Sequence, residues 1–455
     1  MSAPQFTTQA IADFALRVGP NDADGYAADR LKRSLLDAIG CAIGALDAEP
    51  VRAIRGLVDD HGGTGSATLI GGSRTAPDRA ALVNGCLVRY VDFMDNIATT
   101  GEVCHPSDNS AALLAAAEQA GASGEAFLLA MAVAYQVQSR LMEVLPTMRA
   151  GLNYTMPLSY SVAAGAARLL GLDTARTAHA LALAGVSSVS LAVIQAEPVS
   201  NWKGLASGET ARRALLTTLI AGRGITGTLG VFEGPFGLDH LVHDKVDVDW
   251  TREPLDAAKR VSIKRYNAEF QSKTSIEAAI ELHARVTNLS SIASVMVDVA
   301  KGAYDVLGGG SYGPKDDCRI KEQADHNLKY LVAAALLDGE MTPRQFTPDR
   351  INRADVQDLR RKVKVRPSFL YTRRIPDEMP CKVGVAIDGG ETLEAHRTDY
   401  DGFHTRAMSW ADVVAKFDGL AGKHADAALR EEIVEVVRDL ERHDVSVLGT
   451  LLARV

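Results

Sequence analysis

Two apolar helical segments stand back to back in "SAALLAAAEQAGASGEAFLLAMAVAYQVQSRLMEVL", residues 110 to 145, parted only by Gly121, Ser123 and Gly124. A glycine just past one helix and a serine just before the next are stop and start signals. The plan recurs in "YSVAAGAARLLGLDTARTAHALALAGVSSVS", with Gly171 as the stop and Asp173 or Thr174 as the cap. Both stretches predict αα-hairpins. Alanine at so many positions implies helices that approach closely, so the first two-thirds of the chain is expected to be an all-α domain. Two similar hairpins do not make a solenoid, and no regular period runs along the chain.

The pattern changes after about residue 265. "IASVMVDVA" (292–300), "RKVKVRP" (361–367) and "CKVGVAIDGGETLEAHRTD" (381–399) are rich in β-branched residues with partial alternation, and Asp388-Gly389-Gly390 supplies a hairpin turn. A helix is expected over "QADHNLKYLVAAALLDG" (323–339), and the glycine-rich "LGGGSYGPKDD" (307–317) reads as a mobile loop. The fold expected is mainly α with a smaller α+β domain. Residues 1–267 and the helical tail 404–455 form the large part, and residues 268–403 the smaller one.

A chain of 455 residues with 47% apolar content has enough material for two cores. Its net charge of -8 argues against non-specific nucleic-acid binding, so an anionic substrate would need a local cationic pocket. Cys41, Cys86, Cys104, Cys318 and Cys381 form no CxxC pair, as expected of buried thiols in a reducing compartment. The N-terminal "MSAPQFTTQAIADFALRV" has no secretory pattern, and the apolar run from Phe127 is too short to span a bilayer. A cytoplasmic protein without membrane or nucleic-acid partners is the expectation.

Chemistry concentrates in "DFMDNIATTGEVCHPSDN", residues 92 to 109, where Asp92 and Asp95, a threonine pair, a glutamate, a cysteine and a histidine precede a helix. Pro106 suits the first helical turn, and Ser107, Asp108 and Asn109 suit its orphan N–H groups. His105 then stands before a helix N-terminus, whose positive end disfavours imidazolium, with Asp92 and Asp95 near enough to orient the ring. For a lone histidine the ordinary loop role would be preferred. The two aspartates tip the balance toward a proton-transfer site.

Other clusters are weaker alone. Lys203 in "NWKGLASGETARRALL" would ordinarily be a solvated lysine. Lys264, Arg265 and Lys273, with Tyr266, Asn267 and Gln271, would ordinarily be a basic linker. His326 and Tyr330 stand four apart on the expected helix, where a core tyrosine is the common role and a catalytic phenol the rarer one. His240 and His243 lack companions for a zinc site, and no P-loop, GxSxG or dinucleotide fingerprint occurs. Acid–base chemistry without metal or cofactor is what remains.

At "CHPSDN", "WKGLASG", "SIKRY" and "YLVAAALLDG" the sequence resembles the MmgE/PrpD family, in order and through most of the chain. That family includes 2-methylcitrate dehydratase, cis-aconitate decarboxylase and iminodisuccinate epimerase. The resemblance implies a large helical domain completed by C-terminal helices, an inserted α+β lid, a homodimer and no metal. It places catalytic roles on Asp92, His105, Lys203 and Tyr330 and a substrate contact on Lys264, gathered around one cleft, and Asn96, Asn153, Gln271 and His326 are the further substrate contacts expected. Asn96 and Asn153 stand where the decarboxylases carry Thr and His, and Gln271 where many members carry His, which argues against decarboxylation. The resemblance implies a metal-independent hydro-lyase acting on a 2-methylcitrate-like hydroxy di- or tricarboxylate, with an epimerase or decarboxylase of a related polycarboxylate as the alternative. Tyr154 would be the epimerase's second acid. A non-enzymatic helical scaffold, its polar clusters only caps and solvated faces, is the remote third possibility.

Overall fold

The computed structural model describes residues 6–99 and 102–455, so residues 1–5 and Thr100 of the threonine pair lie outside the described residues. The chain divides into two compact units, one of Met1–Ala192, Gly204–Ile263 and Ser409–Val455, the other of Val193–Lys203 and Lys264–Met408. The first is helical and the second mixes helices with a four-stranded sheet. The large helical part and smaller α+β part expected from sequence are both present. Among the described residues no helix is long and apolar enough to cross a membrane.

In the helical unit the main elements are α1 (Gly25–Gly44), α2 (Pro77–Tyr90), α3 (Ser110–Ala120), α4 (Gly124–Val144), α5 (Thr155–Leu169), α6 (Thr174–Ser187) and α7 (Ala206–Gly222). Gly121 ends α3 at φ +63, and the Ser123 hydroxyl accepts the Ala126 N–H at 3.2 Å to start α4. Asp173, not Thr174, caps α6 by accepting the Arg176 N–H at 2.8 Å. The punctuation anticipated for both hairpins is therefore the punctuation used.

Helices α2 and α7 cross glycine to glycine. A Cβ placed on Gly85 would lie 2.8 Å from the Gly208 Cα, and one on Gly208 would lie 2.7 Å from the Cys86 nitrogen. Arg89 lies one turn beyond Gly85 on α2, and the Tyr154 hydroxyl it donates to also meets Ser207 at the start of α7. A C-terminal helix, Trp410–Ala421, packs along α1 and sends Lys416 to the Asp37 carboxylate at 2.6 Å and the Phe93 carbonyl at 2.7 Å. A short hairpin of β1 (Ile97–Ala98) and β2 (Val103–Cys104) closes the loop between α2 and α3.

The second unit is built on strands β3 (Ile292–Ala300), β4 (Val363–Ser368), β5 (Cys381–Ile387) and β6 (Thr392–Arg397), in the order β4-β3-β5-β6. β3 and β4 run parallel, from Val295 opposite Val363 to Ala300 opposite Ser368, and the other pairs are antiparallel. Val295, Val297 and Val299 alternate into the core, as the sequence pattern requires. Helix α8 (Lys273–Arg285) packs on β5, β6 and α9 (Leu328–Asp338). The turn anticipated at Asp388-Gly389-Gly390 joins β5 to β6, with Gly389 and Gly390 at φ +103 and +95.

Two expectations change. The helix expected over 323–339 is broken: Lys321–Ala324 forms one short turn, and the Asn327 side chain accepts the Tyr330 N–H at 3.1 Å to begin α9 afresh. His326 thus precedes the cap and shares no helical face with Tyr330. The loop 307–317, expected to be mobile, is anchored instead. Buried Lys315 pairs with Glu197 at 3.2 Å, and its carbonyl accepts the Asn327 amide at 3.0 Å.

Gly208→Ala should destabilise the protein by about 1–3 kcal/mol, although alanine is the better helix former by about 1 kcal/mol. Urea unfolding of the variant checks this, and a neutral or stabilising result would contradict the contact described.

Candidate active site

In the helical unit the site grows from Asp95. Its carboxylate accepts the Ser107 N–H at 3.0 Å and the Tyr135 hydroxyl at 2.9 Å, while its backbone carbonyl lies 2.8 Å from His105 Nδ1. A carbonyl only accepts, so Nδ1 carries a hydrogen and Nε2 holds the basic lone pair of the neutral ring. The aspartate was expected to act on the histidine by its carboxylate. It does so by its main chain, and the carboxylate caps the turn that follows. The 3-10 turn Pro106–Asn109 begins with proline as anticipated, but Asp95 satisfies its Ser107 N–H, and neither this turn nor α3 has a side-chain cap of its own.

The Tyr154 ring meets His105 edge-on, with centroids 5.3 Å apart. Its hydroxyl accepts from Arg89 Nε at 2.9 Å and lies 3.1 Å from the Ser207 hydroxyl. Arg89 also reaches Asp92 at 2.7 Å, an ion pair whose side chains are 4% and 2% exposed. Asp92 holds this position at φ +52, in the left-handed region that aspartate tolerates better than most residues. Asn96 and Asn153 are fully buried, and neither amide nitrogen meets a hydrogen-bonding partner among the described residues. A buried amide without a partner costs free energy unless a water or ligand supplies one.

In the α+β unit the centre is Asp325, which is fully buried. One oxygen takes Lys203 Nζ at 2.7 Å and His326 Nδ1 at 2.8 Å, and the other takes Lys321 Nζ at 2.8 Å. Burial pushes this carboxyl upward, but Lys203, Lys321 and His326 outweigh it and hold it well below the usual carboxylate range.

The remaining residues singled out in the sequence lie elsewhere in this unit. Lys264 is fully buried, a rare place for lysine without compensation. Lys273, also buried, donates to the Ala268 carbonyl. The Gln271 side-chain oxygen comes within 3.0 Å of where a Cβ on Gly302 would sit, so it uses the space that glycine leaves open. The Tyr330 hydroxyl donates to the Gln345 carbonyl, and its ring lies in the core beside Phe346.

Arg89 and Asp325 escaped the sequence reading. Arg89 looks like an ordinary helix-surface charge, and only tertiary packing buries it. Asp325 precedes His326 directly, and that adjacency was the available signal.

Two family models match the chain. The model of the MmgE/PrpD N-terminal domain matches residues 9–251, and that of the MmgE/PrpD C-terminal domain matches residues 266–442. The chain is 27% identical to cis-aconitate decarboxylase of Mus musculus over 449 residues, covering 93% of this chain and 88% of that one. It is 25% identical to 2-methylcitrate dehydratase of Escherichia coli K12 over 434 residues, covering 90% and 89%. To 2-methylcitrate dehydratase of Cupriavidus necator it is 27% identical over 353 residues, covering 72% and 70%.

Asp108 gives the site a measurable pH signature. Burial pushes its carboxyl up to about 7 from an ordinary 3.8, against the pull of Arg89 and Ser207. The folded state therefore holds this proton more tightly than the unfolded chain, and the resulting stability is full below about pH 4 and lost as pH rises through about 7. Between pH 4 and pH 8, wild type should lose up to about 4 kcal/mol of unfolding free energy relative to Asp108→Asn. Urea midpoints of both proteins across this range check it; a constant difference would contradict it.

Proposed function

The chain belongs to the MmgE/PrpD family, and from that premise we propose that it is a hydro-lyase removing water from a 2-methylcitrate-like hydroxy di- or tricarboxylate. The observation that carries the proposal is the fixed tautomer of His105, whose Nδ1 hydrogen is committed to the Asp95 carbonyl. Relatives named both dehydratase and decarboxylase put polycarboxylates in view as substrates.

A proton next to a carboxylate is weakly acidic, so its removal needs a placed base and cations for the charge that develops. His105 Nε2 takes the proton. The C–H electron pair becomes the new C=C bond as the C–O bond breaks, and the departing hydroxyl leaves as water once an acid protonates it. Asp92 is the counter-charge that keeps Arg89 and Tyr154 in place around His105. Lys203 and Lys264 hold substrate carboxylates, and Asn96, Asn153 and Gln271 offer neutral hydrogen bonds to them. Of the two acids suggested by sequence, Tyr330 already donates to Gln345, so the acid is assigned to the Asp325 cluster in which Lys203 sits. The same proton abstraction serves an epimerase if Tyr154, edge-on to His105, returns a proton to the opposite face.

Purified protein should form a conjugated alkene from 2-methylcitrate with a chelator present, followed by ultraviolet absorbance and mass spectrometry. His105→Ala should lower turnover by about 10²–10⁴-fold. Release of carbon dioxide from cis-aconitate, or inversion of iminodisuccinate without change of mass, would replace the hydro-lyase by another reaction of the same site. Near-full turnover by His105→Ala would overturn the role of the base.

A further inference from the structure

Asp108 is the buried acid that the proposed chemistry leaves unused. It stands in the turn Pro106–Asn109, its N–H donates to the His105 carbonyl at 3.0 Å, and it is 1% exposed. Neither carboxyl oxygen closes a hydrogen bond at ordinary geometry among the described residues, yet the Ser207 hydroxyl and the Arg89 guanidinium are near enough to pull on it. Asp92 and Asp95 face it with negative charge, and its own charge reaches Cys86, Cys104 and Tyr154. All of these groups belong to the helical unit.

Ser207 joins Asp108 to Tyr154. The Tyr154 oxygen accepts the Arg89 Nε hydrogen at 2.9 Å and lies 3.1 Å from the Ser207 oxygen. One hydrogen fills the space between the two hydroxyls, and either residue can supply it. An anionic Asp108 draws the Ser207 hydrogen to itself, so Tyr154 must donate to Ser207. A neutral Asp108 donates to Ser207, whose own hydrogen then turns to Tyr154. With Arg89 and Ser207 both donating, Tyr154 keeps its hydrogen for another acceptor.

We propose that Asp108 is a positioning residue whose proton sets the direction of this hydrogen-bond relay, so that a ligand carboxylate bound at Tyr154 beside His105 is taken up together with one proton. The inference rests on the polycarboxylate part of the reading above and on no particular reaction. The proton comes from solvent and goes to the Asp108 carboxyl, while the Ser207 and Tyr154 hydrogens only rotate. Loss of a buried negative charge beside the incoming anion favours the same state. Burial already holds the Asp108 carboxyl up at about 7, so the free protein stands between the two states near neutrality. A bound carboxylate favours the neutral form and raises it further. Below about pH 7 the proton is present before the ligand arrives, and affinity is flat. Above that, each ligand must bring a proton with it, and affinity falls by about tenfold per pH unit.

Tricarballylate, a tricarboxylate with no hydroxyl to eliminate, separates binding from turnover. Titration calorimetry on wild type should show its dissociation constant rising about tenfold between pH 6 and pH 8. Buffers of different ionisation enthalpy should report about one proton taken up per ligand at pH 8. Asp108→Asn, a fixed neutral donor to Ser207, should keep its pH 6 affinity within about threefold at pH 8 and take up no such proton. Any titration of His105 is common to both proteins and drops out of the comparison. Ser207→Ala keeps the charge of Asp108 but breaks the relay, and should lose most of the pH dependence; where Asp108→Asn does not fold, this variant carries the comparison. Tyr154→Phe should bind more weakly at pH 6 and respond little to pH. A flat wild-type profile, or full pH dependence in Asp108→Asn, overturns the inference while the polycarboxylate reading stands. Full dependence in Ser207→Ala leaves bare charge in place of the relay and overturns it as well. Wild type that binds no tricarboxylate at any pH overturns both readings.

Discussion

The buried carboxylate of Asp95 organises the turn on which the proposed chemistry depends. It accepts from Ser107 and Tyr135, and its own carbonyl faces His105. One residue thus couples three elements: the end of the loop after α2, the turn before α3, and the middle of α4. Burial raises the carboxyl and hydrogen bonds from Ser107 and Tyr135 oppose that rise. The histidine is oriented by backbone rather than by a second ionisable group. Its tautomer is therefore insensitive to the protonation of nearby carboxylates such as Asp108.

The α+β unit solves a similar problem with charge. Asp325 collects Lys203 from a distant segment together with Lys321 and His326 from its own neighbourhood. Breaking such a pair by removing one partner costs about 3–5 kcal/mol, because the other charge is left buried. The two clusters differ in kind. Around His105 neutral acceptors and one ion pair hold a ring in place, while at Asp325 a carboxylate holds cations together. Each matches the role proposed for it, taking a proton in the first case and supplying the acid and a cation for substrate carboxylates in the second.

The local signals were the legible ones. Gly121, Ser123, Gly171 and Asp173 punctuate helices because their effect is decided within a turn of chain, and β3 to β6 announced themselves by alternation. His105 could be picked out beside its aspartates and His326 by its spacing to Tyr330, while Lys203 and Lys264 needed a family resemblance to supply what spacing could not. Arg89 remained invisible, since burial of a helix charge depends on the Gly85–Gly208 crossing with a partner over a hundred residues away. The break at Asn327 was missed for the opposite reason. Its cap signal was present, but the apolar run of α9 overrode it.

Asp92 carries a further consequence through its backbone. At φ +52 the position suits Gly, Asn and Asp and penalises other side chains, by about 1 kcal/mol or more for a bulky one. The usable alphabet there is three letters long, of which only one bears charge. An alanine scan would merge two effects at this residue, relief or strain in the main chain and loss of the partner of Arg89. Asparagine separates them, since it keeps the conformation and removes the charge alone.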